Sequence, residues 1–231
     1  MLSTFFVLAL SVSATASFRI PIQLRPAVTN ITQGGQTLEQ QSNVFVANLT
    51  IGTPGQLFTV VIDTYSSDLL VPDLSCSDPS ACAHKRKFNS TASTTYGLEA
   101  KHESAKTMLG TFSGITGIDT VVLGDRATDL ITIPNVKFLQ SSTLGLLMNG
   151  LNADGVLGLA MSSKTQIGAD SPFMQGVQNG QVADSFFSIW LEHFNQTSDL
   201  GTHGVIYYGG LDPVHCVPNA QYVPLSAAGF Y

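Results

Sequence analysis

Leu57-Phe58-Thr59-Val60-Val61-Ile62 is a nearly continuous apolar run that stops at a charged residue, Asp63. A run of this length, bounded by turn residues, suits a strand buried on both faces. Such a strand needs packed layers on either side, and it aims Asp63 from its far end. Upstream, Phe45, Ala47, Leu49 and Ile51 alternate along one face of a strand that begins at Val44 and ends at the turn Gly52-Thr53-Pro54-Gly55. The two runs read as a hairpin.

Shorter β-type runs follow at 69–71, 120–123, 130–133, 136–139, 186–191 and 205–208. One helix is expected, with Ser171 as its N-cap, Pro172 as its first residue and Asn179-Gly180 as its left-handed stop. Only 11% of the residues are charged and 21 are glycine, so the fold class is all-β, in one lobe over 43–212. With 231 residues the chain has ample length for one cored domain and too little for two full lobes. The net charge of −6 provides no electrostatic footprint for nucleic acid.

Residues 1–16 open with an uncharged apolar stretch followed by Ser13-Ala14-Thr15-Ala16, the pattern of a signal peptide cleaved near Ala16. No other segment is apolar enough to span a bilayer, so no membrane association is expected after cleavage. Residues 17–42 are polar and without clear period, and read as a mobile leader or prosegment. Sequons at Asn30, Asn48, Asn89 and Asn195 are glycosylation candidates. Cys76 and Cys82 enclose five residues, and their bridge would contribute roughly 2 kcal/mol through loop closure; Cys216 is left unpaired. Together these features point to a secreted or luminal compartment, endolysosomal included.

The chemistry-bearing stretch is Asp63-Thr64-Tyr65-Ser66-Ser67-Asp68-Leu69-Leu70-Val71-Pro72, one hairpin downstream of Ile51-Gly52-Thr53-Pro54. Later come Asp154-Gly155-Val156-Leu157-Gly158-Leu159 and Gly209-Gly210-Leu211-Asp212-Pro213. In this order and spacing, over residues 44–231, these segments resemble the first lobe of the pepsin-like aspartic proteases, peptidase family A1. The resemblance implies an acid-protease β-barrel or sandwich lobe, with 213–231 as the start of an interlobe segment. It makes Asp63 the first catalytic aspartate, Thr64 the residue tying the two lobes' loops together, and Ser67 the hydroxyl orienting Asp63. In this chemistry two carboxyls share a site and cannot both ionise easily, so the ionised one acts as base toward water and its partner as acid. The implied partner is a peptide or protein substrate, bound once a second lobe is supplied.

The sequence departs from that family in several places. Tyr65 stands where the family has glycine, and Leu70 where it usually has tryptophan. By gap-free alignment, Thr107-Met108 occupy the place of the Tyr-Gly of the substrate-covering flap, with Tyr96 eleven residues too early. No second Asp-Thr-Gly or Asp-Ser-Gly occurs in the 231 residues. Asp119, Asp154 and Asp212 match non-catalytic positions and read as turn or cap residues.

The expected function is thus aspartic endopeptidase chemistry, inactive in this chain alone. The alternatives are a non-catalytic pseudoprotease that binds peptides or proteins, and a half-size protease whose dimer would bring two copies of Tyr65 to the dyad. The five histidines show no metal-ligand spacing, so neither metal nor cofactor is expected. The run His84-Lys85-Arg86-Lys87 reads as a solvated surface turn.

Overall fold

The computed structural model describes residues 33–41, 44–124, 130–192 and 204–224. The expected signal peptide, Asn30 and Asn195 lie outside the described residues. The described residues form ten strands: β1 Gly34–Gln41, β2 Val44–Ile51, β3 Gln56–Asp63, β4 Leu69–Pro72, β5 Gly97–Thr107, β6 Gly110–Leu123, β7 Ile131–Thr143, β8 Gly155–Gly158, β9 Phe187–Leu191 and β10 Gly204–Tyr208. They form one sheet in the order β5-β6-β7-β4-β8-β3-β2-β1-β10-β9. Because β6 also pairs with β2, Leu49 opposite Leu123, the sheet curls back on itself. The all-β expectation holds, with one short α-helix among the described residues, α1 Pro172–Gln178. Ser171 caps that helix by accepting from the Met174 amide, as its sequence predicts.

Alternate residues of the central strands enter two different cores, as period-2 geometry requires. Phe58, Val60, Leu69, Val71 and Leu157 join the larger apolar cluster, with Phe88 and Phe138. Val61, Leu70 and Val156 face the other way, with Phe112, Leu139 and the Cys76–Cys82 bridge. The strand leading to Asp63 is therefore clamped from both sides.

Several expectations need correction. Residues 34–41, read as part of a mobile leader, form β1, an inner strand between β2 and β10, with Gly34 opposite Tyr208 and Glu39 opposite Val46. Its buried Gln36 is satisfied by the Asn48 carbonyl and the Tyr208 hydroxyl, so a polar sequence reaches the interior without orphaned groups. The two short runs at 130–133 and 136–139 merge into β7. Asn135 sits at φ 59° beside Pro134, and Thr120 faces both residues as a bulge, between the pairs Val121 with Ile133 and Asp119 with Val136. The long hairpin of β5 and β6 carries no strand signal over 97–107, because residues 97–102 are all solvent-exposed.

The basic run is a turn with His84 and Arg86 exposed, as expected, but its two lysines are tied to main-chain carbonyls. Lys85 Nζ donates to the carbonyls of Met148, Leu151 and Ala153, and Lys87 Nζ donates to the Cys76 carbonyl. Burial holds the Lys85 ammonium below the ordinary lysine range, partly offset by Asp154. Lys85 thus fills a gap where three carbonyls converge. Lys85→Met, which keeps the stem and removes all three donors, is expected to cost about 1–3 kcal/mol in urea unfolding. A change below a few tenths would contradict this account.

Candidate active site

Asp63 ends β3, where β8 runs parallel beside it and Gly158 is its register partner. The loop 64–68 then turns back into β4, which is antiparallel to β8. Main-chain bonds pin this turn to the end of β8: Leu159 N donates to Asp63 O (2.8 Å), Gly158 N to Asp68 O (3.0 Å) and Ala160 N to Ser66 O (3.0 Å). The approach is possible because Gly158 has no side chain; a Cβ there would lie 2.4 Å from Asp68 N and 2.6 Å from Ser66 O. Asp154, one strand earlier, accepts from the Thr59 and Arg86 amides, and Asp212 accepts from the Val214 amide. Asp212 fills the turn role expected of it, whereas Asp154 bridges to segments 95 and 68 residues away.

The Asp63 carboxylate, half-buried at the strand end, accepts from the Tyr65 amide at 2.8 Å through Oδ1 and from the Ser66 hydroxyl at 2.6 Å through Oδ2. Ser67, the expected orienting hydroxyl, instead donates to the carbonyls of Ala160 (3.1 Å) and Met161 (2.6 Å). Successive residues of the loop point opposite ways, and Ser67 points into the protein toward the segment after β8. Thr64 is exposed and borders an apolar cavity of about 340 Å³ with Phe173, Met174, Phe186 and Phe187. A rigid carboxylate with two donors on it and a face toward solvent can activate water, provided that an acid partner stands opposite.

The family model for eukaryotic aspartyl protease matches residues 44–231, from β2 through the whole of this site. The chain belongs to the eukaryotic aspartyl protease family. Over 187 residues it is 36% identical to aspartic protease 6 of Caenorhabditis elegans, a match covering 81% of this chain and 47% of that protein. It is 32% identical over 188 residues to aspartic proteinase oryzasin-1 of Oryza sativa subsp. japonica, covering 81% of this chain and 35% of the relative. Pepsin A of Canis lupus familiaris is 34% identical over 187 residues, covering 81% and 46%. The chain spans less than half the length of these relatives.

Tyr65, Leu70, the hairpin tip and Tyr96 lie in different surroundings. Tyr65 is 55% exposed, so its ring projects from the loop beside Asp63 instead of packing beneath it. Leu70 is fully buried in the second core. The β5–β6 hairpin turns at Thr107-Met108-Leu109-Gly110, and Met108 at its tip is 69% exposed. Tyr96 is committed elsewhere: its hydroxyl accepts from Gln140 Nε2 (2.6 Å) and its ring packs on Phe88.

Sequence reasoning passed over Asp68, five positions after Asp63 and buried. Desolvation pushes its carboxyl above the usual range, with Glu103 adding to the rise, against hydrogen bonds from Thr165, Gln166 and Ile167 that pull it down. A carboxyl whose pKa is raised by folding contributes stability that is present below its unfolded value and lost as pH rises through the folded one. Asp68→Asn keeps the shape and an acceptor without the charge. Its Tm relative to the parent is expected to be higher at pH 7 than at pH 3, in melts across that range. An equal difference at both pH values would contradict the assignment.

Proposed function

We propose that this chain is one lobe of a peptide-bond hydrolase, with Asp63 as one of the two carboxylates that activate water. The observation that carries the reading is the Asp63 carboxylate itself: fixed at the end of a strand clamped by two cores, with the Tyr65 amide and Ser66 hydroxyl donating to it. Hydrolysis needs a second carboxyl to act as acid while Asp63 acts as base, so residues 1–231 alone are inactive, and a second lobe supplies the acid. The substrate is a peptide or protein segment lying across Asp63 and under the β5–β6 hairpin. The apolar N-terminus, the close cysteine pair and the sequons Asn30, Asn48, Asn89 and Asn195 support secretion or passage into a luminal compartment. Among the described residues no helix is long and apolar enough to cross a membrane.

A second reading is supported by Tyr65 and by the hairpin tip without an aromatic: a lobe that binds peptides and does not cut them. The two readings separate in one experiment. The chain is expressed alone and fused to a lobe carrying a second aspartate, and both are assayed on an unstructured protein substrate between about pH 2 and 6, the range in which a carboxyl pair shares a proton. Cleavage by the fusion only supports the hydrolase. Binding without cleavage in both forms supports the non-catalytic lobe.

A further inference from the structure

β5 is the outermost strand of the sheet, paired along one side with β6. Near its end, Lys106 opposite Thr111 turns both main-chain groups outward, and these meet the side chain of Gln166. The Lys106 amide donates to Gln166 Oε1 at 2.9 Å, and Gln166 Nε2 donates to the Lys106 carbonyl at 2.9 Å. A carboxamide presents one acceptor and one donor side by side, the pattern that a neighbouring strand would offer. Gln166 therefore closes the free edge of the hairpin one residue before its tip.

The other end of Gln166 is held just as specifically. Its amide donates to the Asp68 carboxylate (3.0 Å to Oδ2, 3.3 Å to Oδ1), and the Thr165 hydroxyl donates to Oδ1 at 2.8 Å. Asp68 is locked by its own carbonyl to Gly158, the register partner of Asp63. The next residue, Ile167, is buried in the second core and fixes the segment from behind. A continuous path thus runs from the Asp63 loop through Asp68 and Gln166 to the arm that carries Thr107-Met108-Leu109-Gly110.

We propose that Gln166 is a positioning residue: its side-chain amide clips the β5–β6 hairpin to the Asp63 loop through Asp68. At a tip with no aromatic side chain, this clip fixes the hairpin arm relative to the Asp63 loop. That the held hairpin covers a peptide rests on the hydrolase reading; the clip itself does not.

Hydrogen exchange on the 231-residue chain tests the clip without recourse to catalysis. Gln166→Ala is expected to lower the protection of the Lys106 amide by tenfold or more, while amides of the β6–β7 pairing and the Tm stay as in the parent. Gln166→Glu provides the chemical check. Its carboxylate accepts from the Lys106 amide but cannot donate to the Lys106 carbonyl, so protection falls near pH 7. Protection returns as the carboxyl protonates around pH 4, where a donor is restored. Asp68→Ala is expected to loosen the same amide.

An unprotected Lys106 amide in the parent chain, or protection unchanged in Gln166→Ala, would overturn the clip. Loss in Gln166→Glu that does not reverse at acid pH, or no response to Asp68→Ala, would overturn the path drawn here. Acceleration spread equally over β6 and β7 would make Gln166 a general stabiliser and remove its positioning role. A fusion that binds peptide without cutting it would count against the hydrolase and leave these exchange results standing.

Discussion

In the fusion that carries a second aspartate, Asp63→Asn is expected to lower kcat by ~10²–10⁴-fold or more, since the asparagine cannot take a proton from water. The fold is expected to survive, because an amide oxygen still accepts from the Tyr65 amide or the Ser66 hydroxyl. Unchanged thermal melting separates lost chemistry from lost structure. Ser66→Ala is expected to reduce kcat far less, and Ser67→Ala to act through stability, since Ser67 serves the carbonyls of Ala160 and Met161. Tyr65→Gly removes an exposed ring from beside the carboxylate and is expected to raise kcat/KM. Full activity in Asp63→Asn would sink the assignment of the site.

Phe88→Ala is expected to destabilise the lobe by about 3–5 kcal/mol, the usual cost of emptying a buried aromatic site. Phe88 is 1% exposed, lies edge-on to Phe138 at 5.1 Å between centroids, and touches Phe58 and Tyr96. Three rings lose a partner at once, and none belongs to a segment free to collapse: Phe58 and Phe138 sit on β3 and β7, and Tyr96 is held by Gln140. Urea unfolding checks the value through the shift in midpoint at constant slope. A loss under about 1 kcal/mol would show that the cluster repacks.

What could be read from the sequence was local. Asp63 was legible because the apolar run before it and the turn after it are contiguous, and each obeys a short-range rule. Helix α1 was legible for the same reason, from Ser171, Pro172 and Gly180. The expectation of Ser67 on Asp63 failed, and Ser66 holds that place, because which hydroxyl meets Asp63 depends on carbonyls at 160 and 161, nearly a hundred residues away. The run 34–41 is polar and glycine-rich, and becomes a strand only because β10 and β2 offer edges on either side of it. Lys85 looked like a surface charge because nothing near it in sequence reveals the three accepting carbonyls of Met148, Leu151 and Ala153. Gln166 gave no signal at all; a lone glutamine in a loop becomes informative only when a strand edge is placed beside it.

The place of β1 between β2 and β10 also bears on synthesis. Residue 34 leaves the ribosome 174 residues before its partner at 208. At the usual pace of translation that is an interval on the order of ten to thirty seconds. Throughout it the β1 edge of the growing sheet has no native neighbour, and the nascent chain carries an open ladder that a second nascent copy could fill. Ribosomes closely spaced along one message bring two such open edges together, so the hazard grows with translation density.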